Sequence, residues 1–125
     1  MTPGAVTVVH GVRSPGEECE RTLRVFVPGG TRPEDAVGVL VLLDGQNVFA
    51  RSRAGEFGTW AVDDAVEALV GRGAIDPWIV VGVDHRGIDR IADCSPWPDA
   101  RMRFEPRGER LAGFLAHDLR GWSSA

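Results

Sequence analysis

Seven consecutive apolar or glycine residues, VGVLVLL at 37–43, restrict the folds open to this chain. The run lacks the alternation of a strand with one wet face. It therefore predicts a β-strand covered on both faces, as in the parallel sheets of α/β proteins. Polar residues follow at once, namely Asp44, Gly45, Gln46 and Asn47. The sequence thus predicts a buried strand that ends in a polar loop.

A second apolar run, WIVVGVD at 78–84, predicts a neighbouring buried strand. Between the two runs, TWAVDDAVEALVGRG at 59–73 has apolar residues at the spacing of one helix face. We expect Thr59 to cap the N-terminus of this helix, and Gly71 or Gly73 to end it. A strand, a helix and a strand in this order predict a right-handed crossover between parallel neighbours.

Polar loops follow both predicted strands and begin at Asp44 and Asp84. The carboxyl ends of parallel neighbours share one edge of a sheet, and ligands bind at that edge in open α/β sheets. We therefore expect the two loops to form one rim. The candidates for lining this rim are Asp44, Asn47, Asp84, His85, Arg90 and Trp97.

The remaining segments are predicted more coarsely. AVTVVH at 5–10 favours a short strand, and RTLRVFVP at 21–28 alternates with period two, which favours a strand near the sheet edge. The segment 11–20 between them suits a hairpin connection. Residues 84–108 form a loop long enough to contain a short turn of its own, and ERLAGFLAHDLRGW at 109–122 predicts a helix.

Composition argues against several kinds of protein. The 125 residues suffice for one small domain, and 43% of them are apolar, as in globular proteins. The net charge is -4 and no basic stripe is present, so a nucleic-acid partner is not expected. We see neither a signal peptide nor an apolar run near the roughly 20 residues of a membrane span. A cytoplasmic protein with reduced Cys19 and Cys94 is therefore expected.

Five stretches in this chain together span about residues 20–120: RTLRVFVP, VLVLLDGQNVF, GTWAVDDAVEALVGRGAIDPWIVVGVD, RIADCSPWPD and LAGFLAHDLRGW. In this order they resemble the putative-esterase family of α/β-hydrolases, which contains enterochelin-esterase-like, esterase-D-like and feruloyl-esterase-like enzymes. The resemblance implies a single incomplete α/β-hydrolase domain over 1–125: two N-terminal strands, a parallel β-α-β unit and a C-terminal helix, truncated before the nucleophile elbow. The sequence departs from the family at Asp93, where Glu is usual, and at Cys94, where Tyr is usual.

The resemblance also implies the chemistry of a serine esterase. The nucleophile of such enzymes lies in Gly-x-Ser-x-Gly, and the acid and the histidine follow later in the chain. None of the serines here has glycine at both of those offsets: Ser14, Ser52, Ser95, Ser123 and Ser124. We therefore expect the chain to be inactive alone, with a small-molecule ester as substrate only if the missing half is supplied. By resemblance, the oxyanion donor is the amide of Gly45 or Gln46.

Other reactive side chains have simpler explanations. His85 has no nucleophile to activate, so we interpret it as a residue of the rim. The acidic and histidine residues Asp84, His85, Asp89 and Asp93 match no metal-site spacing, and neither a metal nor a cofactor is expected. Arg90 either binds an acidic group of a substrate or pairs with Asp93.

The sequence also indicates where two tryptophans and one cysteine lie in the fold. We expect Trp60 to be a core residue and Trp97 to lie at the rim of a pocket. Cys94 is interpreted as a small apolar filler at the position where the family carries Tyr.

Three functions remain open from the sequence. The chain is the N-terminal portion of an ester hydrolase, a non-catalytic α/β module that binds a ligand or partner, or the inert product of a truncated gene. By resemblance, strand 37–43 also lacks the neighbour that would carry the nucleophile. An apolar edge of this kind favours a homodimer or pairing with a complementing chain.

Overall fold

The computed structural model describes residues 3–52, 58–101 and 103–123, without the side chains of 122 and 123. The chain divides into two units. The first comprises Met1–His10 and Thr22–His85, and the second comprises Gly11–Arg21 and Arg86–Ala125. None of the helices in the described ranges is both long and apolar enough to span a bilayer.

The described strands form one mixed sheet. They are β1 (Ala5–Ser14), β2 (Cys19–Val27), β3 (Gly38–Leu43) and β4 (Trp78–Val83), in the spatial order β1-β2-β4-β3. β4 pairs with β2 antiparallel and with β3 parallel. Helix α1 (Val62–Gly71) follows β3 and precedes β4. The predicted parallel β-α-β unit is therefore confirmed.

Burial differs sharply between the two strands that were predicted to be covered. In β4, Val80, Val81 and Val83 are at most 2% exposed, because this strand has a neighbour on each side. In β3, Val39 and Leu40 are 44% and 42% exposed. The prediction of a strand covered on both faces is wrong for β3, since β3 lies at the edge of the described sheet. The apolar sequence of β3 favours burial, but it does not show whether another element covers the strand.

The core of the first unit lies between the sheet and α1. Its buried members are Phe26, Val48, Phe49, Val66 and Val80. The rings of Phe26 and Phe49 lie 6.1 Å apart and are tilted by 40°. Burying each of these side chains contributes about 1.5–3 kcal/mol, so this cluster fixes the loop that follows β3 against α1.

Helix α1 begins later than predicted. Its first residue is Val62, after Ala61 in the left-handed conformation with φ 51°, and Thr59 Oγ1 accepts a hydrogen bond from the Ala61 N–H at 3.0 Å. The expectation that Thr59 caps the helix is therefore wrong. The sharp turn at Ala61 also leaves Trp60 61% exposed, so Trp60 is not a core residue.

Helix α1 ends at the glycines that were predicted to end it. Gly71 is the last helical residue, and Gly73 takes the left-handed conformation with φ 72°. The N–H groups of Gly73 and Ala74 donate to the carbonyls of Val70 and Leu69 at 3.0 and 2.9 Å. These two bonds form a Schellman motif, which satisfies the last carbonyls of the helix.

The first two strands are longer than predicted. β1 continues past residue 10 to Ser14, where Val12 and Ser14 are buried in alternation, and β2 already begins at Cys19. Only a short 3-10 turn, Pro15–Glu17, and the left-handed Glu18 remain between them. Glycine at position 11, with φ 73°, hides this continuity in the sequence because it interrupts the apolar pattern.

The second unit contains the remaining helices. Helix α2 (Arg90–Cys94) lies within the long segment after β4, so that segment has structure of its own. The predicted C-terminal helix consists of α3 (Gly108–Gly113), a π-helical turn (Phe114–Asp118) and α4 (Leu119–Ser123). The π turn explains why the buried residues Phe114 and Leu119 are five positions apart and why Leu115 is only half-buried.

Candidate functional site

The loop after β3 is shaped by its close approach to β4. Asp44 is left-handed, with φ 55° and ψ 51°, and Gly45–Asn47 form a 3-10 turn. A Cβ atom on Gly45 would lie 2.5 Å from Asp84 Oδ1 and 2.9 Å from the carbonyl carbon of Gly82. Only glycine fits at position 45, because part of the opposing surface is rigid backbone.

The side chain of Gln46 joins the two polar loops. Its Nε2 donates to the His85 carbonyl at 2.9 Å, and the His85 N–H donates to Oε1 at 3.0 Å. Both polar atoms of the amide group therefore bind the backbone of one residue, much as a neighbouring strand does. As predicted, the loops meet at the carboxyl ends of β3 and β4.

Two amides of the first loop already have carbonyl partners. The Asn47 N–H donates to the Asp44 carbonyl at 2.9 Å, and the Val48 N–H donates to the Gly45 carbonyl at 3.2 Å. These bonds define the turn, in which the amide of Gly45 or Gln46 is the predicted oxyanion donor. Their role follows from the resemblance and remains a prediction.

Asp84 is bound by an arginine that the sequence reasoning missed. Arg24 Nε and Nη2 donate to its two carboxylate oxygens at 2.8 and 2.9 Å, and Nη1 donates to the Ser52 carbonyl at 3.0 Å. Each side chain of the pair is only 11% exposed. This bidentate contact fixes the end of β4 beside the loop. The sequence did contain a signal for the burial of Arg24. The alternation of side chains along β2 places it on the same face as the buried Phe26.

Asp63 of α1 holds the far side of the same loop. Its carboxylate accepts hydrogen bonds from the Ala50 and Arg51 N–H groups at 2.8 and 3.0 Å. The Asn47 carbonyl accepts a further bond from the Trp60 N–H at 2.8 Å. Segment 44–52 is therefore tied to α1 as well as to β4. Helix-dipole reasoning placed Asp63 at the start of the helix but gave no hint of these partners.

The sequence profile of the family described as Putative esterase matches residues 14–122. This chain belongs to that family. The recognition based on the five ordered stretches is therefore confirmed. No curated protein matches the chain at a significant level.

Solved structures with the same fold share little sequence with this esterase-family chain. The BES protein from Bacillus cereus superposes with a TM-score of 0.72 at 17% identity, over 99% of this chain and 47% of its own. An IroE-like serine hydrolase from Shewanella oneidensis gives 0.69 at 16% identity, over 94% of this chain and 37% of its own. An uncharacterised protein from Capnocytophaga ochracea gives 0.70 at 15%, over 95% and 29% respectively.

These structures support the partial α/β-hydrolase sheet as the fold of this chain. The chain spans less than half the length of each of them, from 29% to 47%. The described part thus corresponds to one section of a larger esterase-like fold.

In the second unit, Asp93 is the centre of an ion network. It is 1% exposed and accepts hydrogen bonds from Arg86 to both oxygens at 2.7 Å. Arg21 Nη2 donates at 3.2 Å, and Arg107 Nε lies 3.6 Å from Oδ1. Asp93 stands where the family usually carries Glu, and in this chain its carboxylate binds guanidinium groups.

Glu17 is a second buried acid of this network. Its carboxylate accepts hydrogen bonds from Arg21 Nε at 3.0 Å and from Ser14 Oγ at 2.8 Å, and its carbonyl accepts one from Arg107. Burial lowers the pKa of Arg21, but the bond to Glu17 and the nearby negative charges raise it by more. Burial raises the pKa of the Cys19 thiol.

Asp93, Asp63 and Glu67 are among the carboxylates whose pKa values lie below their ordinary range. For Asp93, burial acts upward, but the bonds from Arg86 and the neighbouring guanidinium charges outweigh it. For Asp63, burial is outweighed mainly by the two backbone amides described above. For Glu67, the N–H of Gly4 is the largest cause of the lowered pKa. Folding therefore favours the ionised form of each group.

Acid is expected to destabilise the protein only below about pH 4.5. The ordinary pKa values are 3.8 for Asp and 4.5 for Glu, and the folded-state values lie lower. The stabilisation that these ionised carboxylates provide is therefore complete above about pH 4.5. It is lost as the pH falls toward their pKa values in the folded state. Urea denaturation from pH 7 to pH 3 measures this. A stability that already falls between pH 7 and pH 5.5 would contradict it.

Trp97 lies in the second unit beside an open pocket of about 350 Å³. Ile91, Pro96, Pro98 and Phe104 supply further apolar lining. Trp97 itself is 72% exposed. Whether this pocket binds a substrate stays a prediction.

The remaining candidates are placed as follows. His85 is half-buried and Arg90 is exposed. Cys94 is exposed, so its interpretation as an apolar filler is wrong: it ends α2 on the solvent side. In the described ranges, no three His, Cys, Asp or Glu side chains lie close enough together to hold a metal ion.

Proposed function

We propose that this chain is the N-terminal portion of a serine carboxylic-ester hydrolase. The observation that carries the proposal is the loop Asp44–Asn47 in a chain of the esterase family. Its backbone is fixed by the fit of Gly45 against β4 and by the paired bonds between Gln46 and His85. Rigid backbone donors at this position suit a site where charge develops on an oxygen atom.

Each group has a distinct role in the proposed reaction. A serine that a further segment supplies attacks the ester carbonyl while a histidine of that segment takes its proton, and the carbonyl oxygen becomes an oxyanion. The N–H of Gly45 or Gln46 donates to that oxygen and stabilises the developing charge. The intermediate then collapses: the bond from carbon to the alcohol oxygen breaks, and the histidine returns the proton to the departing alcohol. The candidate rim residues of the first unit then contact the acyl or alcohol part of the ester: Asp44, Asn47, Asp84 and His85.

The serines with described side-chain bonds have structural partners, which supports inactivity of the chain alone. Ser14 Oγ donates to Glu17, and Ser95 Oγ donates to the Ile91 carbonyl at 2.6 Å. Neither lies in a Gly-x-Ser-x-Gly turn. A serine without a base and without that turn is a weak nucleophile.

The nucleotide sequence downstream of this chain tests the proposal. Read in all frames, it is expected to encode Gly-x-Ser-x-Gly within about 30 codons, followed by an acidic residue and a histidine. A motif in another frame would indicate a truncated gene of the same family. Absence of the motif from every frame would overturn the proposal that this chain is part of a serine hydrolase.

A second candidate function is a non-catalytic binding module. The open pocket beside Trp97 favours it, because apolar side chains and the polar Ser95, Asp99 and Arg101 line it together, as in sites for small ligands. Saturable quenching of tryptophan fluorescence by a small aromatic ester, lost in Trp97→Leu and kept in Trp60→Leu, would support this function.

A further inference from the structure

Arg24 of β2 binds two stretches of chain beside the carboxyl ends of β3 and β4. Its Nη1 donates to the Ser52 carbonyl at 3.0 Å, at the far end of segment 44–52. Its Nε and Nη2 donate to the two carboxylate oxygens of Asp84 at 2.8 and 2.9 Å. All three nitrogens of the guanidinium group are therefore engaged, and together they link the segment after β3 to the end of β4.

The position of Arg24 follows from the pairing of β2 with β4. Arg24 lies opposite Gly82 in the register, so their side-chain positions share one face of the sheet. Asp84, two residues beyond Gly82, is a diagonal neighbour of Arg24 on that face. A Cβ atom on Gly82 would lie 3.0 Å from Gly45 Cα. The absence of a side chain at position 82 thus lets the turn lie against β4, beside the ion pair.

Asp84 connects the guanidinium group with the turn. Its Oδ1 accepts the bond from Arg24 Nε, and the same oxygen would lie 2.5 Å from a Cβ atom on Gly45. The carboxylate therefore borders the backbone at Gly45, and the bidentate contact fixes its orientation. The bond to the Ser52 carbonyl fixes the other end of the segment.

We propose that Arg24 is a positioning residue for the oxyanion donors, acting through Asp84 and the Ser52 carbonyl. The inference rests on the proposed function, since it concerns the amides of Gly45 and Gln46. The guanidinium group holds the turn that carries these amides against β4. It also balances the charge of Asp84, which would otherwise oppose the negative charge that develops on a nearby ester oxygen.

The N–H groups of Asn47, Val48 and His85 report the order of the turn. The first two donate to carbonyls within the turn, and the third donates to the Gln46 side chain. Amide hydrogen exchange of the 125-residue chain measures how often these bonds open. The amides of β4 are the internal reference, because that strand is paired on both sides.

Arg24→Met keeps the apolar stem of the side chain and removes the guanidinium group. It is expected to speed exchange of the three reporter amides at least about tenfold more than exchange of the β4 amides. The amide chemical shifts of Gly45 and Gln46 are expected to change with it. Arg32→Met is the matched control, because Arg32 also binds a carboxylate, that of Asp35 at 2.8 Å, but its side chain is 74% exposed. It is expected to leave the reporter amides unchanged.

A double variant shows whether the effect passes through Asp84. In the Asp84→Asn background, Arg24→Met is expected to speed exchange of the reporter amides at least about threefold less than in the wild type, because the contact it removes is already weakened. Arg24→Lys is the milder variant, which keeps the charge but cannot bind Asp84 and Ser52 with a fork of N–H groups. It is expected to change the same amides in the same direction by a smaller factor, and it decides the question if Arg24→Met does not fold.

Two results would overturn the proposal. Reporter amides that change no more than those of β4 would make Arg24 a residue of general stability. Equal effects of Arg24→Met with and without Asp84→Asn would exclude the route through Asp84. Neither result would affect the hydrolase proposal, which the downstream Gly-x-Ser-x-Gly motif tests.

Discussion

Replacing Asp93 by asparagine is expected to lower the free energy of unfolding by about 3–5 kcal/mol. The substitution keeps the shape of the side chain and removes its charge. Arg86 then loses a bidentate acceptor, and Arg21, which is 3% exposed, loses the charge of Asp93 beside it. Buried guanidinium groups without a compensating charge are costly. Urea denaturation at pH 7, followed by circular dichroism, measures the loss.

The matched control is Asp35→Asn on the surface. Asp35 accepts a hydrogen bond from Arg32 Nε at 2.8 Å, a distance similar to those at Asp93, but the two side chains are 50% and 74% exposed. Exposed pairs of this kind contribute at most about 1 kcal/mol. Equal losses from Asp93→Asn and Asp35→Asn would show that the buried network does not stabilise the second unit.

Replacing Gly45 by alanine is expected to destabilise the protein by about 3 kcal/mol, at the upper end of overpacking effects. The added Cβ atom would lie 2.5 Å from Asp84 Oδ1 and 3.0 Å from the Asp84 nitrogen. Rotation of a side chain does not relieve contacts with backbone, so the loop has to move away from β4. The Gln46 bonds to His85 are expected to break, and faster exchange of the His85 amide reports this directly.

Gly71→Ala makes the same chemical change at the end of α1. A Cβ atom there meets nothing within 4 Å, and alanine favours a helix over glycine by up to about 1 kcal/mol. This variant is therefore expected to be unchanged or slightly more stable. A lower free energy of unfolding for Gly45→Ala, with no decrease for Gly71→Ala, would confirm the tight fit of the loop. An unchanged free energy of unfolding for Gly45→Ala would contradict it.

The parts of the fold that depend on local pattern were predictable from the sequence. The apolar runs identified β3 and β4, and helical spacing with a terminal glycine identified α1 and its end. The helix start was predicted wrongly from Thr59. The chain turns sharply at Ala61, and the helix begins at Val62. Local patterns define elements well and their boundaries less well.

The contacts that depend on distant residues were not predictable. Arg24 and Asp84 are 60 positions apart, and Arg21 and Asp93 are 72 apart, so no spacing rule connects them. The exposure of β3 was missed for a related reason. An apolar composition suits a covered strand, but whether another element covers it depends on the whole topology. The polar residues after β3 and β4 were identified, but not the bonds that make their loops rigid.

Hydrolysis of p-nitrophenyl acetate by the purified, folded chain of 125 residues tests the central claim most directly. We propose that the 125 residues of this esterase-family chain include no nucleophile for ester hydrolysis. The predicted result is a rate equal to that of the same sample after heat inactivation, with no saturation by substrate. A saturable rate well above that control, abolished by a serine-directed fluorophosphonate, would contradict the account.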